Sequence, residues 1–310
     1  MHIQPTLPPI LPISPEQPIG IFDSGIGGLT VAKAVVELLP NESIVYFGDT
    51  ARLPYGDKSA ATICTYALEI TDLLLQRNCK MILIACNSIS AAAYNEIKAY
   101  IGNRALLVNV IDPLIHYLVQ HYKNKIIGLI GTRQTVKSNI YHKKISASIG
   151  SGQNNTEWIT LRALATPLLV PIIEEGFFAH SLVDLALQEY LSHEILSDID
   201  ALVLGCTHYP VIKDSICKYY GSTVEVIDAS YVVAREVKEQ LLQHELLRTQ
   251  KINTDTNMEK NVLREGNRTG CGACYNLKQF YVSDYTEAFA TSAKMFFGED
   301  INIELYSPNT

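Results

Sequence analysis

The 310-residue sequence has no long run of lysine or arginine, and its net charge is −7. Nucleic-acid binding through clustered cations on phosphate is therefore not expected. It also lacks any apolar run near the roughly 18–20 residues of a membrane span, so no membrane partner is expected. Residues 1–18 have no basic segment and carry six prolines, which excludes the apolar helix of a secretory leader. They read as a flexible arm on a cytoplasmic protein. A disulfide framework is missing too, because seven cysteines, an odd number in a chain this long, point to reduced thiols. Only 18% of residues are charged against 47% hydrophobic, which excludes disorder and is ample for two domains of ordinary size.

What the chain does have is short apolar runs alternating with helix-period stretches. Strands are expected at 19–22, 43–47, 80–85, 106–110, 125–130, 201–204 and 279–283. Helices are expected at about 29–39, 59–77, 114–121, 134–146, 182–196, 231–247 and 285–297. This alternation predicts an α/β fold with mostly parallel sheets flanked by helices. Two internal echoes divide it. Ile19-Gly-Ile-Phe-Asp-Ser resembles Ile127-Gly-Leu-Ile-Gly-Thr, and Met81-Ile-Leu-Ile-Ala-Cys-Asn-Ser resembles Ala201-Leu-Val-Leu-Gly-Cys-Thr-His. The offsets, 108 and 120 positions, are alike and predict two similar α/β domains. Residues 19–108 with 228–310 form the first, and 109–227 the second. A polar insertion at about 249–274 reads as an exposed loop in the first domain.

Open parallel sheets bind ligands beyond the carboxyl ends of their strands. Four polar segments fall there: Asp23-Ser24, Cys86-Asn87-Ser88, Gly131-Thr132 and Cys206-Thr207-His208. A free cysteine is usually buried and inert. At a strand end opening into a helix its thiol pKa is expected to fall, which suits it to carry protons. Two such thiols facing across a cleft can remove a proton from one side of a carbon and return one to the other, inverting the centre. Asp23 is suited to orient a thiol or take a substrate ammonium, or simply to cap a helix. His208 is suited to polarise Cys206, or to sit in a solvated loop. Asn87, Ser88, Thr132 and Thr207 offer donors for carboxylates, or caps. The Gly-rich Asp23–Gly28 turn lacks the spacing of a dinucleotide site and the lysine of a phosphate loop. Cys271-Gly-Ala-Cys274 is a lone pair, too few ligands for zinc, so no metal is expected.

These residues closely resemble the aspartate/glutamate racemase superfamily, and within it the glutamate racemases. The matching segments are Gly20-Ile-Phe-Asp-Ser-Gly-Ile-Gly-Gly-Leu-Thr30, Tyr46-Phe-Gly-Asp-Thr-Ala-Arg-Leu-Pro-Tyr-Gly56, Ala85-Cys-Asn-Ser88, Pro167-Leu-Leu-Val-Pro-Ile-Ile-Glu-Glu-Gly176 and Leu204-Gly-Cys-Thr-His-Tyr-Pro210. The resemblance implies interconversion of L- and D-glutamate by two-base proton transfer, with no cofactor, to supply peptidoglycan synthesis. By motif position, Cys86 acts on the D-isomer and Cys206 on the L-isomer. Asp23 and His208 assist them, and Glu174 matches a carboxylate near the site. Ser24, Pro54, Tyr55, Gly56, Asn87, Ser88, Thr132 and Thr207 match substrate-binding positions. The resemblance also implies a site between the two domains and a homodimer. Two departures stand beside the first thiol: Ser88 replaces the usual threonine, and Ile89 replaces a smaller residue and is expected to tighten the pocket. Two other readings are an aspartate- or hydantoin-type racemase of the same superfamily and a non-catalytic sensor of acidic amino acids.

Overall fold

The computed structural model describes residues 12–149, 158–249, 278–285, 287–298 and 301–306. The arm up to residue 11, and the polar insertion beyond residue 249 with Cys271 and Cys274, lie outside the described residues. The chain begins β1 (Ile19–Asp23), α1 (Leu29–Leu38), β2 (Ile44–Gly48), α2 (Ala60–Gln76), β3 (Met81–Ile84), α3 (Asn87–Ile101) and β4 (Leu106–Asn109). It continues with α4 (Ile111–His121), β5 (Lys125–Gly131), α5 (Arg133–Ser138), α6 (Ile140–Ile149) and β6 (Ile159–Ala165). Then come α7 (Leu169–Glu174), α8 (Ser181–Leu191), β7 (Ala201–Gly205), α9 (Lys213–Tyr220) and β8 (Glu225–Ile227). The last described elements are α10 (Ser230–Gln243), β9 (Lys278–Val282), α11 (Glu287–Phe297) and β10 (Ile303–Leu305).

Two sheets result, with every described pairing parallel. One has the order β10-β9-β2-β1-β3-β4 and the other β6-β5-β7-β8. The run β2-β1-β3-β4 has the same winding as β6-β5-β7-β8. The sequence echoes therefore mark equivalent strands: β1 matches β5, and β3 matches β7. In the first sheet Ile19, Ile21, Met81 and Leu83 face one core, and Phe22, Ile82 and Ile84 face another. That is the period of two expected of strands covered on both faces, and it explains why they read as unbroken apolar runs.

Several expected elements shift. The helix at 134–146 is two helices, parted at Asn139 by a left-handed backbone (φ 56°). The helices expected at 182–196 and 231–247 stop at Leu191 and Gln243. Besides α3 and α9, which were given no range, four elements escaped the sequence pattern. β8 and β10 have three residues each. β6, ITLRALA, is rich in Leu, Arg and Ala, which favour helix, and becomes a strand through its pairing with β5. α7 is a six-residue helix interrupted by proline, too short to show a period.

At the amino end of the first sheet, Lys80 and Glu42 form a fully buried ion pair at 2.6 Å. The Lys80 ammonium also donates to the carbonyls of Pro15 (2.6 Å) and Leu246 (2.9 Å), and Glu42 accepts the Arg248 amide at 2.8 Å. The pair thus ties the N-terminal segment and the chain after α10 to the sheet. Burial lowers the Lys80 pKa, with Glu42 opposing the shift. Removing one partner strands the other charge in the core. Lys80→Ala is expected to destabilise the fold by about 3–5 kcal/mol. A Lys80→Met, Glu42→Leu double variant should recover much of that, read as denaturation midpoints.

Candidate active site

The carboxyl ends of the two sheets meet at one cleft of about 580 Å³, its open mouth included. Each sheet contributes the end of the strand where its order reverses, as an open α/β sheet does at a ligand site. Ser24 follows β1 and Cys86 follows β3. Thr132 follows β5, and Cys206 follows β7. All four line the cleft, with Pro54, Tyr55, Gly56, Asn87, Ser88, Thr207 and His208. Asp23 and Glu174 stand behind this lining rather than in it.

Cys86 is the residue immediately before α3, so its place matches the sequence expectation. Its pKa does not. Burial first, and the nearby Asp23 carboxylate second, push the thiol up to about 12. The Ile89 amide and the Ser24 hydroxyl pull the other way but lose. The expected lowering by the helix end is therefore overturned, and the thiol form is favoured. It donates to Ser24 Oγ at 3.5 Å. Asp23 is fully buried, and burial raises its pKa, opposed by His208 and by the amides of Gly25 and Gly28. Its Oδ2 accepts the Gly25 N–H at 3.0 Å, and Thr207 Oγ1 donates to its Oδ1 at 3.4 Å. No side chain caps α1, so the capping reading of Asp23 does not hold.

Cys206 has a different setting. Behind it is a short turn, Tyr209–Ile212, before α9 starts at Lys213. Its partner is His208, whose Nδ1 lies 3.6 Å from Sγ. The opposite nitrogen, Nε2, donates to Glu174 Oε1 at 2.8 Å. His208 is buried, not a solvated loop residue. Burial acts to lower its pKa, but the hydrogen bonds to Cys206 and Glu174 win and raise it well above 6.5. Glu174, His208 and Cys206 therefore form a chain of carboxylate, imidazole and sulfur.

The Gly-rich turn makes this arrangement possible. A Cβ on Gly27 would lie 2.5 Å from His208 Nδ1, and one on Gly28 would lie 2.5 Å from Asp23 Cβ. These glycines permit close approach and carry no left-handed backbone.

The remaining walls are tied across the cleft. Ser88 Oγ and Thr132 Oγ1 are hydrogen-bonded at 2.8 Å, and Thr132 also caps α5 by accepting the Thr135 amide. Tyr141 donates to Asn87 Oδ1 at 2.6 Å. The loop bearing Pro54, Tyr55 and Gly56 is held by Asp49, which accepts from Tyr55, from Arg52 Nε at 2.6 Å and from Ser283 Oγ at 2.7 Å. Ile89 points into the core beside α2 and does not line the cleft, so it does not tighten the pocket as expected. Sequence reasoning missed Leu53, Asp57, Arg133, Thr166, Pro167, Val170 and Pro171 as lining residues. Thr166 was hidden because β6 was unread. Asp57 and Arg133 adjoin residues that were read, and the other four lie inside matched segments, which was their only signal.

The family model of the Asp/Glu/Hydantoin racemases matches residues 19–237. The chain belongs to the Asp/Glu/Hydantoin racemase family. Among relatives within it, a glutamate racemase of Neisseria meningitidis is 39% identical over 296 residues, covering 95% of this chain and 98% of that one. One from Chlorobaculum parvum is 43% identical over 235 residues, covering 76% of this chain and 84% of that one. The crystal structure of a glutamate racemase from Francisella tularensis in complex with D-glutamate matches with a TM-score of 0.77 at 36% identity. That match covers 94% of this chain and 98% of that one. The two-lobed architecture is thus that of the racemase family. No helix among the described residues is long and apolar enough to cross a membrane.

Two predictions follow from the geometry. Gly27→Ala is expected to cost about 1–3 kcal/mol of stability. It should also lower turnover at temperatures where the variant is fully folded, because the imidazole must leave Cys206. The Cys86 thiol gives a pH signature. The folded state keeps a proton that the unfolded chain releases near pH 9.0, so this share of stability is complete below about 9. It is lost as the pH climbs toward about 12. The thermal midpoint should fall more steeply above pH 9 in the wild type than in Cys86→Ala.

Proposed function

We propose that this chain interconverts L- and D-glutamate, with Cys86 and Cys206 as its two bases. The observation that carries the reading is that two cysteines on equivalent strands of the two sheets line one cleft, Cys86 near the buried Asp23 carboxylate and Cys206 beside the buried His208 imidazole. One sulfur takes the α-proton as the other delivers a proton to the opposite face. Cys86 acts on the D-isomer and Cys206 on the L-isomer. The raised pKa of Cys86 favours the thiol, the form that delivers a proton when L-glutamate enters. His208 beside Cys206 has a raised pKa and holds its Nδ1 against that sulfur. Asp23 and Glu174 support the two sides.

The α-proton of an amino acid is a very weak acid, and a thiolate alone in water removes it too slowly. The cleft answers this with oriented donors in a water-poor space. Ser24, Asn87, Ser88, Thr132, Thr207 and the Pro54-Tyr55-Gly56 backbone bind the substrate, and Asp23, behind this lining, directs its negative charge toward the ammonium. Every proton moved has a place on sulfur, so the scheme uses no cofactor and no metal. Residues 19–108 with 228–310 and residues 109–227 are the two domains that enclose glutamate. The assembly is a cytoplasmic homodimer that supplies D-glutamate to peptidoglycan.

The test is turnover in deuterated water with no cofactor added. Product formed from either enantiomer should carry deuterium at Cα. Cys86→Ala and Cys206→Ala should each lose racemisation by at least about a thousandfold. Full racemisation by Cys86→Ala would sink the two-thiol scheme, and faster turnover of D-aspartate than of D-glutamate would sink the substrate.

A further inference from the structure

The two lips of the cleft touch at three consecutive points. Thr132 meets Ser88, and a Cβ added to Gly56 would lie 2.8 Å from Thr132 Cβ. One residue further out, Arg133 Nη1 pairs with Asp57 Oδ1 at 2.8 Å. Both partners line the cleft, and both are more than half exposed, at 59% and 52%. Arg133 is the sole lysine or arginine among the described residues of the lining. A substrate with two carboxylates must therefore pass an arginine already holding a carboxylate.

We propose that Arg133 is a substrate-binding and specificity residue, which releases Asp57 and takes a carboxylate of the incoming glutamate at the cleft mouth. The inference rests on the racemase reading for its substrate. Asp57 is a resident stand-in for that carboxylate. Exposed ion pairs contribute little to stability, so exchanging one carboxylate for another on the same guanidinium is close to balanced. The planar guanidinium grips a carboxylate through two parallel N–H groups, which a lysine cannot do. Arg52 stays engaged with Asp49 and Glu69, outside the lining, so it does not compete for the role.

The two partners of a clasp and the two partners of an exchange behave differently when removed. If the pair only holds the lips together, Arg133→Gln and Asp57→Asn both loosen the mouth and move the kinetics the same way. If Arg133 receives the substrate, the two move in opposite directions. The experiment measures KM and kcat with D- and L-glutamate at low and physiological salt, and D-glutamate Kd by calorimetry. Arg133→Gln should raise KM and Kd roughly tenfold and flatten their salt dependence. Its kcat should change by less than about twofold. Arg133→Lys should recover part of the loss, and Asp57→Asn should lower KM. Unchanged KM in Arg133→Gln, or a shift in the same direction in both variants, overturns the proposal. Calorimetry keeps the two readings apart. If the wild type binds D-glutamate without racemising it, the racemase reading fails. In that case, weaker binding by Arg133→Gln still upholds Arg133, and equal binding overturns it.

Discussion

The site depends on how closely the turn after β1 packs against the loop after β7. Gly27 and Gly28 carry no side chain, and His208, Thr207 and Asp23 occupy the space that one would fill. This single contact presses the carboxyl ends of two sheets together. It leaves little room for water, so buried polar groups must satisfy one another. Thr207 donates to Asp23, Thr30 Oγ1 donates to the Thr207 carbonyl at 3.1 Å, and His208 bridges Cys206 and Glu174. A looser turn would still fold into two sheets. It would not hold an imidazole against a thiol.

The framework is duplicated, but its electrostatics are not. Cys86 sits beside a buried carboxylate and becomes a harder acid. Cys206 sits beside an imidazolium braced by a carboxylate. Under the proposed reaction, one sulfur must hold a proton while the other lacks it, and the roles exchange with each enantiomer. Two identical surroundings would leave that choice undetermined. The neighbours on these like strands are unlike, a carboxylate near one sulfur and an imidazole beside the other. Removing a carboxylate from water costs several kcal/mol unless hydrogen bonds or charge replace the solvent. The amides of Gly25 and Gly28 and the His208 charge supply part of that replacement for Asp23, and burial still raises its pKa.

Much of this was legible in the sequence, for a physical reason. Strands buried on both faces must be apolar throughout, so β1, β3, β5 and β7 stood out, and the polar residue ending each marked the cleft. Strand pairing with little intrinsic preference was not legible, and β6 became a strand only because β5 lies beside it. With β6 went Thr166. The thiol of Cys86 was placed correctly but given the wrong pKa direction, because a helix end is visible in sequence and burial next to Asp23 is not. Ile89 was expected to narrow the pocket. Its position in α3 turns it to the opposite face, a detail fixed by the helical period and the angle at which the helix meets the sheet.

Two ion pairs show how one chemistry serves opposite ends. Lys80–Glu42 is wholly buried, and three chain segments converge on it. Both charges are buried and fully hydrogen-bonded, so losing either half strands the other and is severe. Arg133–Asp57 spans the two lips with both halves in solvent. A pair of that kind is worth about 0–1 kcal/mol, comparable with thermal energy. It can open at each turnover without threatening the fold, and the guanidinium it frees is already aimed at the cleft. Burial therefore decides which pair is architecture and which can take part in a cycle. The first lobe is tied firmly within itself, and the two lips are joined weakly where the cleft opens.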